Sequence, residues 1–168
     1  MKLSPNEIKK IAIFRALQLG DMLCSIPAIR SLKKAYPDAE LILIGLPWAQ
    51  TLADRFTAYF KSFISFPGFP GMPEQDFQPE LFTGFLKYVQ DQQFDLVLQM
   101  QGNGSLVNPL VELFGAKHTA GFFKKGHYYP DNNLFLEYPD YGHEISRHLK
   151  LMDFLGISNS PPLIWSSR

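Results

Sequence analysis

The sequence has little cysteine: Cys24 is the single one among 168 residues. One cysteine cannot form a disulfide bond within the chain, which excludes a disulfide-stapled domain. No apolar run approaches the roughly 20 residues that cross a bilayer, and the opening MKLSPNEIKK lacks the apolar stretch of a secretory signal. We therefore expect a soluble protein of the cytoplasm.

Charge of one sign is not in excess, because 16 Lys and Arg residues balance 16 Asp and Glu residues. Without a net field, no general attraction to nucleic acid or anionic lipid is expected, so membrane contact would be peripheral at most. A standard metal pattern is also missing. The histidines match no zinc spacing and have no cysteine support, so we expect no metal at His118, His127, His143 or His148.

The phosphate-binding motifs of nucleotide enzymes are absent from the first strand-to-helix loop, RALQLGDM. Its one glycine, Gly20, stands where a dinucleotide fingerprint needs three. The lysine and hydroxyl residue of a phosphate loop are missing too. We therefore expect no dinucleotide cofactor in this loop.

Short apolar runs alternate with amphipathic helical patterns along the chain. This alternation predicts an α/β fold: a Rossmann-like parallel sheet with helices on both faces. The length suits one domain with a sizeable core. Strands are predicted at residues 8–14, 41–46, 63–66, 96–100, 119–123 and, more weakly, 134–137. Helices are predicted at residues 47–56, 79–92, 108–114 and 143–155, besides the one that follows the first strand.

Two segments rich in proline and aromatic residues separate these elements, at residues 66–77 and 127–141. They are predicted to be long irregular loops. Loops of that length within one domain are usually functional or mobile.

Asp21 lies where the first strand passes into the first helix, at the end of the sheet where ligands bind in open α/β folds. If Asp21 is the N-cap, Pro27 falls inside the helix and kinks it. If Ser25 is the N-cap, Pro27 falls in the first turn and Asp21 stays in the loop. We favour the first arrangement. A helix cap is the commoner role for such an aspartate, and an acid-base group is the alternative.

The predicted strand at residues 96–100 also ends in polar residues, Gln101, Gly102 and Asn103, and Lys124 follows the strand at 119–123. The carboxyl ends of parallel strands share one edge of the sheet. The amides suit a polyhydroxylated ligand, and the lysine suits a phosphate or an acidic sugar. Ordinary turn residues and solvated lysines are the simpler interpretation.

The segment FRALQLGDMLCSIPAIRSLKKAYPDAELILIG resembles the opening of glycosyltransferase family 9, the heptosyltransferases of lipopolysaccharide core synthesis. The segments FDLVLQMQGNG and GHEISRHLKLMDFLGI resemble a later strand-and-loop and a later helix of that family. In the first segment the residues that follow the family's order are Arg15, Leu19, Gly20, Asp21, Pro27, Arg30, Leu32, Lys33, Tyr36 and Pro37.

The resemblance implies one half of a GT-B enzyme, in which an N-terminal domain holds the acceptor and a C-terminal domain holds a nucleotide-sugar donor such as ADP-heptose. It implies inverting transfer without a metal or other cofactor, with Asp21 as the base. It also implies a glycan or glycolipid acceptor, in the cytoplasm or at the inner face of its membrane. The residues expected to bind the acceptor are Arg15, Gly20, Gln101, Gly102, Asn103 and Lys124.

Members of this family are about twice as long as this chain. We therefore expect residues 1–157 to form the acceptor-binding domain, residues 158–168 to begin a linker, and the donor site to lie in a second domain. On its own, such a half would be inactive. Leu17 and Gln99 depart from the family pattern, which leaves the acceptor and the sugar open. The alternative is a non-catalytic α/β binding or interaction module.

Overall fold

A computed structural model describes residues 1–131 and 133–157, so the expected linker at 158–168 lies outside the described residues. The strands are β1 (Lys10–Phe14), β2 (Glu40–Gly45), β3 (Phe60–Ser65), β4 (Leu96–Gln99), β5 (His118–Phe123) and β6 (Phe135–Glu137). The helices are α1 (Leu19–Leu23), α2 (Ile26–Ala35), α3 (Gln50–Arg55), α4 (Pro79–Asp91), α5 (Asn108–Glu112) and α6 (Glu144–Phe154), and a 3-10 turn at Pro47–Ala49 precedes α3.

The six strands form one sheet in the order β3-β2-β1-β4-β5-β6, and each neighbouring pair is parallel. The chain starts in the middle, builds outward to β3, and then returns to place β4 on the other side of β1. The crevice beyond the ends of β1 and β4 is therefore the switch point where open α/β sheets bind ligands.

Helices cover both faces of the sheet, which explains why the central strands are continuous apolar runs. On one face α2, α3 and α6 pack over side chains such as Ile13 and Leu43. On the other face α4 and α5 pack over side chains such as Phe14 and Ile44. The predicted fold class is confirmed. Among the described residues, no helix combines the length and apolar character of a membrane span.

The prediction of one kinked helix starting at Asp21 is wrong. The chain forms the single turn α1, passes through Cys24 and Ser25, and then begins α2, with Ser25 at its N-cap position. Pro27 therefore lies in the first turn of α2, where its missing N–H needs no partner. The Ser25 hydroxyl donates to the carbonyl of Met22 at 2.6 Å, which closes the end of α1. Asp21 lies inside α1 and does not cap it.

Two other helices place a polar side chain in the interior. Asn108 is the first residue of α5, and its side chain is buried. On α6, His148 is fully buried with its Nε2 atom 3.1 Å from the carboxylate of Glu144, whereas Ile145 is 43% exposed.

The loop at residues 66–77 is irregular, as predicted, but it is anchored. Gly68 adopts φ +92°, a left-handed conformation, and an added Cβ would come 2.9 Å from the carbonyl oxygen of Asp76. Gln75 donates to the carbonyl of Phe66 at 3.1 Å, and the rings of Phe69 and Phe77 contact Phe82 of α4. The second predicted loop, 127–141, is irregular at its start and contains β6.

Two glycine substitutions test the packing of the sheet. A Cβ at Gly121 of β5 would lie 2.6 Å from the carbonyl oxygen of Gln99, which is backbone of the neighbouring strand. We expect Gly121→Ala to lower the free energy of unfolding by about 1–3 kcal/mol. The control is Gly84→Ala in α4, where nothing lies within 4 Å of the new Cβ; it should raise stability by about 0.4–1 kcal/mol. Urea denaturation measures both, and equal effects would contradict this packing.

Candidate functional site

Gln101 joins the loop after β4 to the loop after β1. Its side-chain oxygen accepts from the N–H of Ala16 at 2.5 Å, and its side-chain nitrogen donates to the carbonyl of Ala16 at 3.1 Å. The N–H of Gln101 donates in turn to the side-chain oxygen of Gln99 at 2.5 Å. The two loops that flank the switch point are therefore held together by side chain and backbone.

Arg15 makes a second connection across the same crevice. Its side chain is 1% exposed, and its guanidinium donates to the carbonyl of Met100 and, through Nε and Nη2, to the carbonyl of Asp21 at 3.2 and 2.6 Å. Burial lowers the pKa of Arg15, and the carboxylate of Glu144 opposes that shift. The guanidinium stays charged, because arginine does not lose its proton in proteins. Arg15 thereby ties α1 to the end of β4.

Asp21 presents its carboxylate to solvent at this edge. The Arg15 guanidinium holds its carbonyl oxygen, while the side chain is exposed and has no hydrogen-bond partner within residues 1–131 and 133–157. The preceding Gly20 is also exposed, and nothing lies within 4 Å of the position of a Cβ there. A ligand can approach both residues. That Asp21 is a catalytic base stays a prediction.

A buried amide pair beneath the loop after β4 was missed in the sequence. The side-chain nitrogen of Gln99 donates to the side-chain oxygen of Asn108 at 3.1 Å and to the carbonyl of Phe122 at 3.0 Å. Asn108 donates to the carbonyls of Phe122 at 3.0 Å and Tyr128 at 3.2 Å. Gly104, at φ +77°, lies so close that a Cβ would overlap both amides. The available signal was a glutamine within an otherwise apolar strand.

The remaining residues expected to bind the acceptor lie at the same edge of the sheet. Gly102 is partly buried at φ +136°, and Asn103 accepts from the N–H of Ser105 at 2.9 Å, as in an Asx turn. Lys124 is exposed directly after β5. Their contact with an acceptor stays a prediction. The side chains of Arg15 and Gln101 also bond main-chain groups, and their contact with an acceptor stays a prediction as well.

An ionic cluster at the start of α6 was also missed. The carboxylate of Glu144 lies 3.1 Å from Nε2 of His148, and its Oε2 accepts from Arg147 and from the Tyr138 hydroxyl, each at 3.2 Å. His148 beside it, with a further contribution from Arg15, lowers the pKa of Glu144 to about 2. Burial lowers the pKa of His148. The i, i+4 spacing of Glu144 and His148 in the sequence could have indicated the pair.

The described residues include no group of three or more His, Cys, Asp or Glu side chains placed to hold a metal ion. The polar groups at the switch point are hydrogen-bond donors and acceptors with one exposed carboxylate. This arrangement can bind hydroxyl groups and accept a proton.

No protein-family model matches the chain, and comparison with curated proteins gives no match. Solved structures do match its fold, among them the following two. One is E. coli heptosyltransferase WaaC with ADP-2-deoxy-2-fluoro heptose, with a TM-score of 0.69 and 17% identity over 91% of this chain and 50% of that chain. The other is the glycosyl transferase family 9 structure from Veillonella parvula DSM 2008, with a TM-score of 0.66 and 16% identity over 96% of this chain and 44% of that chain.

The chain has a heptosyltransferase-like fold. It spans about half the length of these two structures. The family resemblance seen in the sequence is thereby confirmed at the level of the fold. Within this heptosyltransferase-like fold, the ends of β1 and β4 form the switch point at which Asp21 is exposed.

Acid titration tests the cluster on α6. The pKa of Glu144 is about 2 in the fold against 4.5 for the free group. A carboxyl group whose pKa is lower in the fold than in the unfolded chain stabilises the fold at any pH above the unfolded-state pKa. This stabilisation is lost as the pH falls from about 4.5 to 2. We expect Glu144→Gln to flatten the fall in unfolding free energy across this window.

The matched control is Glu40→Gln, at an exposed position at the start of β2, which should keep the wild-type slope. Urea unfolding at several pH values gives the slopes. A Glu144→Gln protein with the wild-type slope would show that the cluster does not hold this carboxylate ionised.

Proposed function

We propose that this chain is the acceptor-binding half of an inverting glycosyltransferase, and that Asp21 is its catalytic base. The observation that carries the proposal is an exposed carboxylate whose main chain is fixed by Arg15 at the switch point of a heptosyltransferase-like sheet. Substrates can approach this edge from solvent. The contacts of Arg15 hold the turn α1, which carries the carboxylate of Asp21.

The proposed reaction is a single displacement. A hydroxyl oxygen of the acceptor attacks the anomeric carbon of the donor, and its proton passes to the carboxylate of Asp21 as the new bond forms. The bond from the anomeric carbon to the nucleotide diphosphate breaks, and the diphosphate leaves with the bonding electrons. Attack opposite the leaving group inverts the anomeric centre. General-base assistance of this kind is typically worth about 10²–10⁴-fold.

The donor in this proposal is a nucleotide sugar such as ADP-heptose, held by a second domain. WaaC was determined with ADP-2-deoxy-2-fluoro heptose, and this chain covers 50% of that protein. Residues 1–157 then supply the acceptor side, residues 158–168 begin the linker, and the half alone is inactive. The acceptor is a lipopolysaccharide-type or related glycan, contacted by Arg15, Gly20, Gln101, Gly102, Asn103 and Lys124. The reaction takes place in the cytoplasm or at the inner membrane face, without a metal or other cofactor.

The decisive substitution is Asp21→Asn in the two-domain enzyme that this proposal requires. Asparagine keeps the size and polarity of the side chain but cannot take the proton. We expect kcat to fall by about 10²–10⁴-fold while the acceptor Kd changes little. Release of nucleoside diphosphate measures turnover, and calorimetry measures acceptor binding.

Asp38→Asn serves as the control, because Asp38 is exposed between α2 and β2, at the opposite end of the strands. It should leave both quantities unchanged. If Asp21→Asn turned over at the wild-type rate, Asp21 would not be the base. If the unmutated two-domain protein showed no turnover, the non-catalytic binding module would become the better account.

A further inference from the structure

A small cavity of about 140 Å³ lies between the loop at residues 66–77 and the loop after β4. Pockets that enclose a whole drug-sized ligand measure roughly 300–1,000 Å³. This cavity therefore has room for one end of a larger molecule. Its lining includes Met72 and Glu74 from the first loop, and Gln101, Asn103, Ser105 and Leu106 from the second.

Glu74 is the unusual member of this lining. Its Oε2 atom is buried and has no hydrogen-bond partner within the described residues. Buried polar atoms are nearly always paired, since an unpaired one forfeits the hydrogen bonds that it made to water. Glu74 thus brings to the cavity wall a carboxylate whose hydrogen-bonding capacity no group within the described residues uses.

The loop that carries Glu74 is held in place by contacts on both sides of it. Met72 is buried on the N-terminal side, and its N–H donates to the carbonyl of Phe69 at 3.1 Å. On the C-terminal side the N–H of Gln78 donates to the carbonyl of Pro67 at 3.0 Å. Because this loop is already ordered, ligand binding carries no entropy cost for ordering it.

The lining also limits the charge of the ligand. It contains one carboxylate, two side-chain amides and a hydroxyl, and the cavity wall includes no lysine or arginine. An ionised carboxylate only accepts hydrogen bonds, so it pairs with hydroxyl groups and repels phosphate or another carboxylate. The apolar side chains of Met72 and Leu106 can cover carbon atoms. This combination fits an uncharged sugar unit.

We propose that this cavity is a subsite for an uncharged, hydroxyl-bearing sugar unit, with Glu74 accepting a hydrogen bond from a sugar hydroxyl. That the sugar belongs to the acceptor rests on the proposed function. Gln101 connects the two places, since it lines the cavity and also binds the main chain of Ala16, in the loop that leads to Asp21.

Two sugars that differ in one group test the subsite: methyl α-glucopyranoside and the corresponding methyl glucuronoside, which carries a carboxylate in place of the hydroxymethyl group. Each is titrated into the ¹⁵N-labelled chain while the backbone amide signals of Ser105 and Leu106 are followed. We expect saturable shifts with the glucoside and binding of the glucuronoside that is weaker by about tenfold or more.

Glu74→Gln removes the negative charge and keeps the shape. It should weaken glucoside binding by about tenfold and strengthen glucuronoside binding. The preference for the glucoside over the glucuronoside should therefore shrink or reverse. Asp76→Asn is the matched control, an exposed carboxylate in the same loop that does not line the cavity. It should leave both affinities unchanged. Amide spectra away from the cavity establish that each variant is folded.

Three results would overturn the subsite: no saturable shift with the glucoside, equal affinity of the wild-type chain for both sugars, or unchanged affinities in Glu74→Gln. These results are separable from failure of the proposed function. Glucoside binding that depends on Glu74, together with wild-type turnover of Asp21→Asn, would reject Asp21 as the base and keep the subsite. Turnover that depends on Asp21 without glucoside binding would do the reverse.

Discussion

The guanidinium of Arg15 is the contact on which the candidate site depends. It is a buried cation whose donors reach the carbonyl of Asp21 in α1 and the carbonyl of Met100 beyond β4. These two elements come from distant parts of the sequence and meet at the switch point of the sheet. Because the contact is made to the main chain, it fixes where Asp21 stands without occupying its carboxylate. Gln101 reinforces the junction through the backbone of Ala16.

A buried cation needs a compensating charge, and α6 supplies it. Glu144 is the carboxylate that most opposes the lowering of the Arg15 pKa, and Glu144 is itself held ionised by His148 and Arg15. The final described helix therefore helps to support the first loop of the chain. Gln99, paired with Asn108, fixes the loop after β4 by hydrogen bonding, since its side-chain oxygen accepts from the N–H of Gln101. The exposed groups at this edge are thus held from beneath by buried and partly buried polar side chains: Arg15, Glu144, Gln99 and Asn108.

The sheet could be predicted from sequence because burial on both faces leaves strands such as Ile11–Phe14 as unbroken apolar runs. Local chemistry was less decisive at the first helix, where Asp21 and Ser25 were both plausible caps. The predicted cap was Asp21, whereas the structure has Ser25 at the N-cap position and Pro27 in the first turn. The buried polar contacts could not be predicted from sequence, because residues such as Glu144 and Arg15 are far apart in the chain and are brought together only by the topology. Glu74 could not be singled out from the sequence for a related reason: the burial of its unpaired oxygen depends on the packing of segments that are distant in the chain.

Amide hydrogen exchange of Arg15→Lys tests this account most directly. Lysine keeps the positive charge but loses the fork that bonds both carbonyls. Relative to the amides of β2, those of Met22 and Ser25, which close α1, should exchange faster by about tenfold or more. The control variant Arg55→Lys, exposed at the end of α3, should match the wild type. If α1 in Arg15→Lys exchanged at the wild-type rate, Arg15 would not be what holds Asp21 in place.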